Sequence, residues 1–94
     1  LGAAYLETLI TEFGALPLVA AGYNAGPGRP RRWITEFGDP RDPATDVIDW
    51  VERIPFAETR NYVMRVAESL VLYRAILEGG GSGPIRLSEM LRGN

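Results

Sequence analysis

Tyr23 and Asn24 stand together where an apolar run from Leu18 to Gly22 meets the rigid turn Gly26, Pro27, Gly28, and further on Glu58 precedes Tyr62 by one helical turn. The chain has 94 residues with no cysteine and no histidine, so thiol nucleophiles, disulfides, thiolate zinc sites and histidine triads are excluded. What remains is the chemistry of carboxylates, phenols, hydroxyls and amides. A phenol and a primary amide at the end of a run of small residues suit a cleft wall, where Gly22, Ala25 and Gly26 would leave room for a ligand near the backbone. A structural reading stands beside it: Asn24 as a helix C-terminal cap, Tyr23 as core filler and Pro27 as a stop. Glu58 has two readings as well, a cleft carboxylate or an acid placed in a first helical turn to complement the helix dipole.

The elements that must position these side chains are helical throughout, and no alternating stretch is long enough to support a strand, so the class is all-α. Periodicity and punctuation predict helices over 2–13, 17–24, 29–37, 45–53 and 57–78. Tyr5, Leu6, Leu9, Ile10 and Phe13 share a face of the first, which stops at Gly14; Pro17 suits the start of the second. Residues 39–43 read as a rigid polar loop, and Pro55 ends the fourth helix because the residue before a proline avoids helical geometry. The last helix, about 30 Å long, carries the stripe Tyr62, Val66, Leu70, Tyr73 and Leu77 and is expected to be the central packing element. Trp33, Trp50 and Phe56 are assigned mainly to the core.

Residues 22–33, GYNAGPGRPRRW, followed about 20 residues later by IPFAETRNYVMRV, resemble the soluble lytic transglycosylase family, whose usual forms read AYNAGPGRVRRW and IPFxETRxYVxxV. The opening LGAAYLETLITEFG is similar to the helix preceding the first motif, so the resemblance spans roughly residues 1–77. Gly22 departs from a common alanine and Pro30 from a common β-branched residue; neither change removes a polar group. The resemblance implies the C-terminal helices of a lysozyme-like catalytic domain over residues 1–78, with 79–94 a glycine-rich linker and a short tail of amphipathic composition. It implies bacterial peptidoglycan as the substrate. Cleavage of the N-acetylmuramic acid to N-acetylglucosamine β-1,4 bond would proceed without water and leave a 1,6-anhydro end. It implies substrate-binding roles for Tyr23, Asn24, Glu58 and Tyr62, no cofactor and no metal, and a periplasmic or cell-envelope location.

The family's acid/base glutamate belongs to a Glu-Ser segment upstream of these motifs, and these residues contain no such segment. The expectation is therefore a fragment, inactive alone, whose catalytic acid lies upstream of Leu1 and whose partner is the missing N-terminal half of the domain. Apolar surface left bare by that half would drive self-association or exchange of elements between copies; a monodisperse, cooperatively unfolding monomer would count against this. The alternative is a non-catalytic glycan-binding module or a helical interaction module. A net charge of −2 argues against a nucleic-acid partner, and Arg29, Arg31 and Arg32 read as a solvated face or as a contact for saccharide, peptide or phosphate. No apolar run is long enough to span a bilayer, and no signal peptide is visible.

Overall fold

The computed structural model describes residues 3–77. These form five helices: α1 (Ala3–Phe13), α2 (Leu16–Ala25), α3 (Gly28–Phe37), α4 (Val47–Glu52) and α5 (Ala57–Leu77). The described residues contain no strand, in agreement with the all-α reading. None of their helices is long and apolar enough to cross a membrane. The proposed linker and tail, 79–94, lie outside the described residues.

The centre of the packing is α2, not α5. Every residue from Pro17 to Gly22 is buried, and α2 packs against α1, α3 and α5. A helix apolar on all sides has no solvent face to offer and belongs in the interior. Its small residues Ala20, Ala21 and Gly22 let neighbouring helices approach closely. A Cβ on Gly22 would stand 3.1 Å from Leu9 Cδ2 of α1, 3.5 Å from Phe13 Cε2 and 3.7 Å from Pro30 Cγ of α3. The space beside Gly22 is therefore filled by neighbouring helices, and the expected room for a ligand there does not exist. Gly22 and Pro30, the two departures from the family pattern, pack against each other.

On α5 the buried positions are Thr59, Val63 and Ala67, spaced four apart, with Tyr62 and Val66 half-buried beside them. Tyr73 and Leu77, the far end of the expected stripe, are 61% and 67% exposed. Length explains the difference: ten residues of α2 span about 15 Å and twenty-one of α5 about 32 Å, so α2 covers only the first half.

Beyond α3 the chain turns at Gly38 into the polar loop. Asp39 Oδ1 accepts from the Arg41 backbone N–H, Asp42 Oδ1 accepts from the Ala44 N–H, and Asp46 caps α4 by accepting from Asp49 N–H at 3.0 Å. Trp50 of α4 is sealed in the core, its ring against Trp33 and Phe37 and its indole N–H donating to the Gly38 carbonyl at 2.7 Å.

The Arg41 guanidinium, hydrogen-bonded to both oxygens of Asp39, holds that carboxyl below its ordinary value of 3.8. A carboxylate depressed in the folded state stabilises above its unfolded pKa and loses that contribution as pH falls through the folded value. An Asp39→Asn chain is thus expected to melt below the parent at neutral pH, with the gap closing as pH drops below about 3.8. A gap independent of pH in thermal melts would assign the loss to something other than the carboxylate.

Candidate functional site

The last turn of α2 is delivered to the surface by Gly26. With φ 91° and ψ 149° this residue stops the helix, while its N–H still donates to the Gly22 carbonyl at 2.9 Å. Asn24 is thus inside the helix, and the cap is Gly26. Tyr23 is 37% exposed. Tyr5 of α1 braces it, with ring centroids 6.1 Å apart and the Tyr5 hydroxyl donating to the Gly22 carbonyl at 3.4 Å.

Across from this turn, the first turn of α5 is held by its own motif. Arg60 reaches back to donate to the Ile54 carbonyl at 2.9 Å, and Ile54 is fully buried. Phe56 lies edge-on to Trp33, with the Arg29 guanidinium 4.6 Å over its ring. Thr59 then closes the gap between the two motifs: its hydroxyl donates to Asn24 Oδ1 at 2.7 Å across 35 positions of sequence. At 2% exposure Thr59 is the one buried polar residue among the described residues. A buried hydroxyl requires a partner, and Asn24 supplies it.

Beside this link a groove of roughly 560 Å³ runs between α1 and α5, floored by Val19 and Ala20 of α2. Leu6 and Ile10 form one wall, Tyr62 and Val66 the other, and Tyr23 stands with Tyr62 among its lining residues. Leu6 and Ile10 are 39% and 50% exposed, so the groove is apolar and open. Glu58 is exposed, one turn before Tyr62 on α5, and is not part of the lining. No ion pair engages it among the described residues.

Of the four residues singled out from sequence, Tyr23 and Tyr62 share the groove, and Asn24 is tied to the turn that bears Glu58. Thr59, Arg60 and Tyr5 escaped that reading. For Thr59 a signal existed: it falls four residues before Val63 on the same helical face, a hydroxyl in line with an apolar position. The arginine cluster separates by role. Arg31 makes a two-pronged contact to Glu12 of α1, with Nη2 to Oε1 at 2.6 Å, and holds the Glu12 carboxyl below its ordinary range. Arg32 faces Glu36 at 4.0 Å, and Arg29 packs on Phe56.

A second apolar groove lies between α4 and α5, lined by residues including Ile48, Val51, Met64 and Leu72. None of the four candidate residues borders it.

Residues 1–44 match the family described as Transglycosylase SLT domain. The chain is 40% identical over 75 residues to the soluble lytic murein transglycosylase of Salmonella typhimurium, and 39% over 75 residues to that of Escherichia coli K12. Each alignment covers 79% of this chain and 11% of the relative, so the chain spans about a tenth of the length of these curated relatives. No solved structure matches the chain.

Proposed function

We propose that the chain, whose residues 1–44 match the transglycosylase SLT domain family, forms one wall of the glycan cleft of a peptidoglycan lytic transglycosylase. The observation that carries this reading is the Thr59 to Asn24 hydrogen bond, which joins the two sequence motifs at one edge of an open groove. Residues 1–78 serve as the catalytic-domain segment and 79–94 as linker and tail.

The chemistry needs one carboxyl group in two protonation states. As an acid, a glutamate outside the described residues protonates the leaving oxygen as the bond from C1 to that oxygen breaks. As a carboxylate it then takes the proton from the C6 hydroxyl of the same sugar, whose oxygen bonds to C1. No water enters, and the product carries a 1,6-anhydro ring. Ordinary glycosidases divide these tasks between two carboxyl groups.

In this scheme the Tyr23 hydroxyl orients the glutamate, Asn24 binds a polar group of the substrate, and Tyr62 borders the sugar ring. Glu58, exposed and free of ion pairs among the described residues, hydrogen-bonds sugar hydroxyls. Its negative charge also favours the protonated form of a nearby acid. The natural ligand is a peptidoglycan strand in the bacterial periplasm or cell envelope. The exposed Leu72 and Ile76 are covered by the N-terminal half of the domain or, without it, by other copies of the chain.

The test is product analysis. Peptidoglycan digested by the full-length protein that contains this chain is expected to yield anhydro-ended fragments, lighter by one water than hydrolytic products in mass spectra. Reducing ends, or no release, would overturn the assignment.

A further inference from the structure

We infer that the groove between α4 and α5 is the docking site of this chain's own C-terminal segment, Pro84 to Leu91. The inference is independent of the glycan-cleft reading.

The two apolar grooves share α5 but no lining residue: α1 lines the first, whereas the second is built from α4 and α5 alone. The second encloses roughly 470 Å³. Val51 of α4 and Ala67 of α5 are its buried residues, and Ile48, Met64, Val71 and Ala75 are half-buried beside them. Residues seven and four apart on a helix share a face, so Met64, Val71 and Ala75 form one line toward α4, with Glu68 and Leu72 at the outer rim. Leu72 adjoins Ile76 one turn on and belongs to the outward surface assigned above to the N-terminal half. The line facing α4 does not.

The occupant follows from where the chain leaves α5. Ala75 lines the groove two residues before the helix ends at Leu77, so residues 78–94 set out from the mouth of the groove. Residues 79–84, Gly-Gly-Gly-Ser-Gly-Pro, can span up to about 20 Å, enough to reverse direction along α5. Beyond them Leu87, Met90 and Leu91 fall on one face at helical spacing, with Pro84 at a position suited to a helix start and Ile85 off that face. Eight residues at helical rise cover about 12 Å, and the groove from Met64 to Ala75 runs about 17 Å. Charge agrees with the fit. Glu68 is the one charged residue of the lining and has no ion pair among the described residues, while Arg86 and Arg92 flank the apolar face of the segment and Glu89 lies opposite it. A tether this short holds the segment at a millimolar effective concentration, so a contact too weak to join separate micromolar chains is still populated. An N-terminal half would connect through α1, which lines the other groove.

The chain has no cysteine, so Glu89→Cys gives a single attachment point for a nitroxide on the side of the segment away from the groove. In the 94-residue chain the label is expected to broaden the methyl resonances of Ile48, Met64 and Val71 more strongly than those of Leu6 and Ile10 in the other groove. Adding Leu87→Glu and Met90→Glu is expected to lower the ratio of docked to free segment by more than about tenfold, because each change removes an apolar side chain from the contact. The lines of Ile48, Met64 and Val71 then sharpen, and unmoved Leu6 and Ile10 resonances mark an intact fold.

Equal broadening in both grooves, or broadening that survives the double substitution, overturns the docking. Broadening of an isotope-labelled chain without nitroxide by a nitroxide-bearing chain without isotope gives the groove to a second copy and overturns it as well. In the full-length protein that contains this chain, the Met64 methyl resonance is expected to shift on Leu87→Glu with Met90→Glu; an unmoved resonance gives the groove to the N-terminal half and overturns the assignment there.

Discussion

A Trp50→Ala chain is expected to show no cooperative unfolding transition at room temperature. Trp50 is 1% exposed, stacked in tilted and edge-on contacts with Phe37 and Trp33, whose centroids lie 5.4 and 6.5 Å away. Truncating a buried aromatic side chain to alanine costs about 3–5 kcal/mol. The Gly38 carbonyl also loses its indole donor, a further loss of about 1 kcal/mol. Domains of this size hold stabilities near the lower end of about 5–15 kcal/mol, so the two losses remove most or all of it. Trp50→Phe keeps an aromatic ring but not the donor, and belongs between the two. Circular dichroism against urea reads all three; a cooperative Trp50→Ala transition displaced only slightly from the parent would show that the α3–α4 aromatic cluster is peripheral.

The second large effect is at Gly26. An alanine there has no neighbour to strike, since no atom lies within 4 Å of its Cβ position, yet φ 91° with ψ 149° is a conformation that essentially only glycine adopts. Gly26→Ala is expected to destabilise by about 1–3 kcal/mol through the backbone alone. Gly28, two residues on, has equally open space and no positive φ, so Gly28→Ala is expected to be neutral or to stabilise by about 0.4–1 kcal/mol by restricting the unfolded chain. The urea midpoint of Gly26→Ala should fall, and that of Gly28→Ala should hold or rise. Equal, small shifts would mean that the turn is soft and does not itself fix Tyr23 and Asn24, because Gly26 N–H closes the last helical bond that carries them.

The helices were legible because periodicity, glycine stops and prolines are local signals, and all five lie within a few residues of their predicted bounds. The identity of the central helix was misread for a physical reason. A long amphipathic stripe announces a face that wants burial, but burial depends on the length of whatever covers it, and α2 is half as long as α5. The usable signal for α2 was the reverse of amphipathicity: Leu16 to Gly22 offers no polar side at all. Gly22 was read as space for a ligand because a missing side chain looks like a vacancy in sequence, whereas Leu9, Phe13 and Pro30 fill it in three dimensions. At the candidate site, Tyr23 and Asn24 were singled out by type and spacing. The bond between Thr59 and Asn24 was not, since no local rule joins positions 35 apart.

The most direct test of a shared glycan-facing wall is an amide and side-chain NMR map of the 94-residue chain titrated with triacetylchitotriose. The account predicts that the largest shifts fall together on Tyr23, Asn24, Glu58 and Tyr62, the residues at and beside the α1–α5 groove. Shifts centred on the α4–α5 groove around Met64 and Leu72, or none at millimolar saccharide, would contradict it.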